Sequence, residues 1–389
     1  MRASGGASSG SFTCGGAAGT VYILNGTSTN LIFDNSGGTS ASSTLTPFPP
    51  DLNGVLLSQL NISGKAYVDL RQSKLNNDVR ASVLDLDQNS KITGDSVVID
   101  TSNATIRGQI LATAAAWLHN AQSGPGRVTA FSGSSITCTS GMLKMSLTGS
   151  TVALHGSISA TNAEVKGLRN FSHTGTLIVS GSYLSIMVET AMISGVVRCT
   201  GAACSSLVSV NETLQLGGSL DCTNDKCALS VRSGGDMTAT GTISCSGNGE
   251  IRTSGKISVL GTIRCISALC PLELEGGQIE VGKFGNVQGG DVIMKSEKIA
   301  VQGSISTTGQ GHTEQAGSGK GSRPLSSWTT SYDEWRVAGS GAGHGGDGAD
   351  GCYQYSSSYG SKPSGTLGLC ISMPVHMDKE GGCSRWCWI

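Results

Sequence analysis

The sequence predicts an all-β chain wound as a right-handed parallel β-helix of about 22 residues per coil, and three observations predict it. Glycine fills 57 of 389 positions, while charged residues make up 14 % and aromatics 5 %. Ser and Thr add another 91 residues. Each interior glycine costs a helix roughly 1 kcal/mol relative to Ala, so helical bundles and coiled coils are excluded. Second, a short motif recurs: glycine, a residue that is often Ser, Thr or Lys, an aliphatic, any residue, then a small or apolar one. It stands at Gly108, Gly156, Gly175, Gly195, Gly218, Gly241, Gly261 and Gly303, with a looser copy at Gly64. The spacings are 44, 48, 19, 20, 23, 23, 20 and 42; with the long ones read as double steps, 239 residues divide into eleven steps of about 22. A fixed period of this size signals a solenoid. Third, each copy alternates with period two between Gly or Asn boundaries, which is how a short strand with one buried face reads.

The elements follow in chain order. Residues 1–50 hold Val21-Tyr-Ile-Leu24 and then Pro47-Phe-Pro-Pro50, an entry hairpin or cap and a loop. Residues 51–310 carry the coils. One coil cannot bury its inward aliphatic alone, so neighbours stack into ladders of Ile, Val and Leu, with polar residues outside. Glycines mark the corners, where they would supply the backbone angles of tight bends without a Cβ cost. At about 4.8 Å per coil, the rod is expected to be roughly 55 Å long. A β-sandwich of many short strands is the rival architecture, but sandwich strands rarely keep a constant repeat. Residues 311–351 form a glycine-rich segment interrupted by Trp328 to Trp335, and residues 352–389 lose the repeat as an irregular tail.

Composition excludes several classes. Hydrophobic residues reach 38 % and net charge is −1, which argues against disorder, and glycine does not fall on every third position as collagen requires. Lys plus Arg (26) balance Asp plus Glu (27) without a basic run, so a nucleic-acid partner is not expected. The longest apolar stretches, such as Ala114 to Leu118, fall far short of the ~18 residues of a membrane span, so no insertion is expected. Met1 is followed by no apolar leader, which reads as a cytosolic chain or a piece of a longer one.

Thirteen cysteines are many for a cytosolic protein. Cys199, Cys222, Cys245 and Cys265 each lie four residues after a repeat glycine, and three are followed at a spacing of five by Cys204, Cys227 and Cys270. Either each C-x4-C closes a loop on its own coil, or stacked cysteines bridge coils vertically, since the coil spacing falls within the Cα range disulfides accept. Zinc is the alternative, but no histidine lies near these pairs and the spacing is not C-x2-C. The odd total, with Cys245 lacking its partner, leaves one cysteine free or intermolecular. Disulfides imply an oxidising compartment. Sequons at Asn25, Asn61, Asn103, Asn170 and Asn211 agree with a secretory route, although a Ser- and Thr-rich chain throws up such motifs by chance.

Candidate chemistry is sparse. Asp347 and Asp350 in a Gly-Gly-Asp-Gly-Ala-Asp-Gly block fit one copy of a calcium-binding nonapeptide, a site that needs adjacent copies to complete its shell. No other cofactor is expected. Gly341-x-Gly343-x-x-Gly346 lacks the strand and helix of a dinucleotide site, and Gly319-Lys320-Gly321 is not a phosphate loop. In Val83-Leu-Asp-Leu-Asp87 the alternation turns Asp85 and Asp87 to one face; with Asp100, and Arg80 or Arg107 a coil away, they are the candidate acids of a pectate-lyase-like polysaccharide lyase or glycosidase. A solvated coil edge explains the same residues, and no nucleophile with a paired base appears.

Gly303-Ser-Ile-Ser-Thr-Thr-Gly, then Gly317-Ser-Gly-Lys-Gly, then Gly339-Ser-Gly-Ala-Gly-His-Gly-Gly-Asp-Gly resembles a family of very large, uncharacterised glycine-rich surface proteins of plants and some protists. Cys14-Gly-Gly-Ala-Ala-Gly-Thr-Val-Tyr and Leu60-Asn-Ile-Ser-Gly-Lys are similar to it too, so the likeness covers most of residues 10 to 360. The resemblance implies a β-helical ectodomain, followed far downstream by a membrane anchor, with no established enzymatic activity and no catalytic residues to carry over. Residues after about 361 depart from the pattern, so the expectation is a fragment or a mispredicted end. The expectation is therefore a secreted or surface-displayed structural or adhesive module of a larger protein, whose partners are cell-surface or wall carbohydrate or protein. The lyase and a calcium-stabilised module are the alternatives.

Overall fold

The computed structural model describes residues 19–306 apart from 26–27, 36–44, 53, 72–77, 122–123, 225 and 268–269, together with a short antiparallel pairing of Gly351–Cys352 with Ser358–Tyr359. Among the described residues there is no α-helix, only the 3-10 turn Pro50–Leu52. Stacked parallel strands about 22 residues apart form a β-solenoid of about 11 turns. No helix among the described residues is long and apolar enough to cross a membrane.

Each coil contributes to three sheets in turn. The repeat motif builds the first sheet, from Tyr67–Asp69 through Thr176–Val179, Val196–Cys199, Ser219–Cys222, Thr242–Cys245 and Thr262–Cys265 to Ser304–Ser306. Its inward residues stack one on the next: Ile110, Ile136, Ile158, Leu177, Val197, Leu220, Ile243, Ile263, Val287 and Ile305 are successive register partners. Fully burying such a side chain stabilises the fold by about 1.5–3 kcal/mol, and this ladder runs almost the length of the sheet. Strands such as Ser205–Val210 and Ala228–Ser233 belong to the second sheet, and Leu214–Leu216 and Lys256–Val259 to the third.

In the N-terminal half several strands run through a corner: Lys91–Asp100, Gln109–His119 and Ser135–Ser146 each pass from the first sheet into the second. Ser157–His173 pairs through its first residues in the first sheet, through Ala163 to Lys166 in the second and through Asn170 to His173 in the third, so one strand traces a whole coil. Register shifts mark where it bends. At the start, Gly19–Asn25 and Ser28–Asp34 form an antiparallel hairpin whose second strand pairs in parallel with Leu56–Ser63. Thr46–Pro47 joins the first sheet against Tyr67–Asp69, so the stacking already includes residues before 51.

The repeat glycines sit at corners, but their backbone angles are ordinary. Of the nine, only Gly64 has a positive φ. What excludes a side chain elsewhere is the coil below: a Cβ on Gly218 would fall under 3.0 Å from the carbonyl oxygen of Gly195, and Gly195, Gly241 and Gly261 meet the preceding coil's glycine in the same way. The expectation of unusual bend angles is thus replaced by close inter-coil approach.

Candidate functional site

Three arrangements of functional side chains repeat along the solenoid. The first is a buried column of cysteines. The last inward position of each first-sheet strand is a small site, filled in order by Ala112, Cys138, Ala160, Val179, Cys199, Cys222, Cys245 and Cys265. From this column, chain folding turns a corner into the second sheet, and Cys199–Cys204, Cys222–Cys227 and Cys265–Cys270 close disulfides across it with Cα separations of 6.4, 5.5 and 5.8 Å. The pairing is therefore within coils. Cys138 and Cys245 are buried free thiols, and burial raises both pKa values, Cys245 to about 12. The sulfurs of Cys199, Cys204 and Cys227, and those of Cys245, Cys265 and Cys270, form two groups within 4.8 Å. While the disulfides are closed, neither group offers three thiolates to a metal.

The second arrangement is a charged network on the outer side of the second sheet. Glu250 and Glu273 are register partners, as are Arg252 and Glu275. Arg252 pairs with Glu250, lies 3.5 Å from Glu273 and 3.3 Å from Glu275, and Lys295 Nζ donates to Glu273 at 2.8 Å. The hydrogen bond from Lys295 holds the Glu273 carboxyl below its usual range, and the same bond raises Lys295. Carboxylates beside cations on adjacent coils are what a lyase would place there, but Lys295 favours the ionised form of Glu273, whereas a glycosidase acid must keep its proton. The sequence reading missed this cluster. Aligning outward positions at the coil period would have found it, because its members stand on three successive strands of the second sheet, Gly249–Thr253, Pro271–Glu275 and Asp291–Lys295.

The third is a polar ladder on the outer side of the third sheet. Thr190 donates from Oγ1 to Asn170 Oδ1 at 2.6 Å, and Asn170 donates from Nδ2 to Thr151 Oγ1 at 3.4 Å, which links three successive coils. Asn103 Oδ1 accepts from the amide of Arg127 at 3.2 Å one coil above. Asn61 and Thr105, both register partners of Asp85, and Thr129 continue the polar rows. Three sequon asparagines, Asn61, Asn103 and Asn170, thus share one sheet. Asn211 is exposed at the corner leading into it, and Asn25 ends the first hairpin strand.

The candidate acids are distributed over the coil. Asp85 lies on the third sheet, with Oδ1 3.1 Å from Arg107 Nη1, whose guanidinium also covers the Phe131 ring at 5.1 Å. Asp87 is half-buried at the following corner. Asp100 is fully buried at the end of the second-sheet segment, register partner of Arg80 and 3.8 Å from His119. Asp347 and Asp350, the glycine-rich segment and the tail fall outside the described residues, apart from the short pairing at 351–359.

Compared with known protein families, curated proteins and solved structures, the chain has no match.

Proposed function

We propose that the chain is a non-enzymatic extracellular module, structural or adhesive, of a larger secreted or membrane-anchored surface protein, and that its third sheet binds surface or wall carbohydrate. The observation that carries this reading is the hydrogen-bonded ladder Thr190–Asn170–Thr151, with Asn103 and Asn61 on coils below. Parallel coils repeat at about 4.8 Å, so the amide and hydroxyl groups of Thr151, Asn170 and Thr190 stand at that step on three successive coils of the outer face. A polymer with its own repeating hydroxyls can satisfy many such groups at once, each contact weak and the sum considerable. The coil disulfides support an oxidising location, since cytosolic thiols are kept reduced. The likeness to glycine-rich surface proteins points the same way.

The test is a glycan array probed with the full chain, with an Asn170→Ala/Thr190→Ala variant as comparison. Capture of a polysaccharide, lost in the variant without change in far-UV circular dichroism, supports the reading. Absence of any bound glycan, or recovery of the native protein with Cys199, Cys222 and Cys265 reduced and no sequon glycosylated, overturns it. Cleavage of a bound glycan would favour the lyase or glycosidase instead.

A further inference from the structure

The cysteine column and its corner partners fall out of step at one coil. In register, the corner positions read Cys204, Cys227, Gly247 and Cys270: the amide of Ala228 donates to Cys204 O and that of Gly247 to Cys227 O, each at 2.9 Å, while Gly249 pairs with Leu272. Cys199 to Cys222 and Cys222 to Cys245 each span 23 positions, but Cys245 to Cys265 spans 20. The three lost residues come from the corner, where Cys222-Thr-Asn-Asp-Lys-Cys227 shortens to Cys245-Ser-Gly247. Cys245 keeps its place in the column and loses its partner. Its Sγ lies 3.4 Å from Cys265 Sγ and 3.8 Å from Cys270 Sγ, so a buried thiol touches both ends of the next coil's disulfide.

We propose that Cys245 is an inter-coil cross-linking site, exchanging with the Cys265–Cys270 disulfide to form a Cys245–Cys265 disulfide that ties two successive coils together. The Cys245 thiolate attacks Cys265 Sγ; the Cys245–Cys265 bond forms as the Cys265–Cys270 bond breaks. Cys270 leaves as a thiolate and takes up the proton that Cys245 gave up. One disulfide and one thiol stand on each side, so no oxidant is consumed. Cys265 is the sulfur attacked because it is the direct register partner of Cys245, and paired parallel strands about 4.8 Å apart lie inside the Cα range of a disulfide. The cross-link changes what the bond restrains. The Cys265–Cys270 bond closes a corner within one coil, whereas the exchanged bond resists separation of coils along the axis.

Two features keep the exchange slow in the resting fold. The nearly equal distances to Cys265 and Cys270 put the thiol beside their bond instead of in line with it, so the corner must swing before attack. Burial also holds the thiol protonated at neutral pH. The rate therefore grows with the thiolate fraction, about tenfold per pH unit up to about 12.

The experiment incubates the oxidised full chain without added oxidant at pH 7 and pH 9, quenches with acid, alkylates in denaturant and maps peptides. The expected result is alkylation moving from Cys245 to Cys270 as a Cys245–Cys265 peptide pair appears, about 100-fold faster at pH 9 than at pH 7 and absent in Cys245→Ser. Alkylation confined to Cys245 among these three cysteines at both pH values would overturn the proposal. Independently, Cys270→Ser is expected to yield Cys245–Cys265 as its disulfide in the folded protein, and finding both as free thiols there would equally refute it.

Discussion

The carbonyl oxygen of Gly195 occupies the place where a side chain on Gly218, one coil later, would begin. Gly217, the immediate neighbour, has nothing nearer to its Cβ position than Ser194 Oγ and Thr240 Oγ1 at 3.5 Å, which is ordinary contact. The pair therefore separates the cost of coil spacing from that of glycine chemistry. Gly218→Ala must push two coils apart and is expected to destabilise by about 3 kcal/mol. Gly217→Ala is expected to stay within about 0.5 kcal/mol. Urea midpoints of both variants against the parent check this, and equal midpoints would refute it.

This glycine shows how far the sequence could be read. Its recurrence gave the coil period, since the eleven steps from Gly64 to Gly303 match the stacked strands. Its reason was illegible, because a contact with a residue 23 positions earlier leaves no local mark. The C-x4-C units were legible as pairs, but the choice between in-coil and vertical bridging needed the corner geometry. Bent strands such as Ser157–His173 were hidden for a different reason: Gly167, at φ 74° in the register shift between Lys166 and Leu168, turns the strand without ending it, so a glycine that reads as a break is passed through. The network at Glu250, Arg252, Glu273 and Lys295 was missed because ordinary alternating charges gain meaning only when coils are superposed.

The disulfide loops make a second prediction. Cys222 and Cys227 enclose a short loop, for which the chain-entropy relation gives about 2 kcal/mol of stabilisation. Replacing both with Ala is expected to cost at least that, with added loss from the vacated core. Cys245→Ala removes only a buried sulfur and is expected to cost about 1 kcal/mol. Denaturation midpoints under non-reducing conditions should rank the variants in this order, and adding reductant should bring the parent toward the double variant.

His173 makes the fold sensitive to acid. It is fully buried, stacked parallel to Phe171 with centroids 6.2 Å apart, and its Nε2–H donates to Val196 O at 3.1 Å. Burial lowers its pKa below the ordinary 6.5, outweighing the carbonyl that favours the charged form. The unfolded chain then binds a proton at about 6.5 that the folded chain refuses. Stability is complete above that pH and falls as pH drops from it toward the folded value. His173→Phe should flatten the stability profile between pH 7 and 5, measured by urea unfolding at each pH. An unchanged slope would show that other groups set the acid response.

Asn120 is a polar staple where most inward positions are aliphatic. It is buried; its Nδ2 donates to Gly124 O at 2.9 Å, Thr148 O at 3.0 Å and Ser150 Oγ at 3.1 Å, and its Oδ1 accepts from the Thr148 amide at 2.9 Å. These bonds join the corner after Gln109–His119 to the corner one coil above. Asn120→Ala strands buried carbonyls and an amide and is expected to cost about 3 kcal/mol. Asn120→Asp keeps the shape but turns an acceptor toward Thr148 O and Gly124 O, so the introduced carboxyl is stable there only when protonated. Its folded pKa must then lie above the ordinary carboxylate value of about 3.9, and the variant's deficit relative to the parent should grow as pH rises through that folded pKa and shrink at lower pH, where a single O–H stands in for the two N–H donors of the amide. Parallel stability curves for this variant and the parent from pH 7 to 3.5 would show that the donors of Asn120 do not hold these corners together.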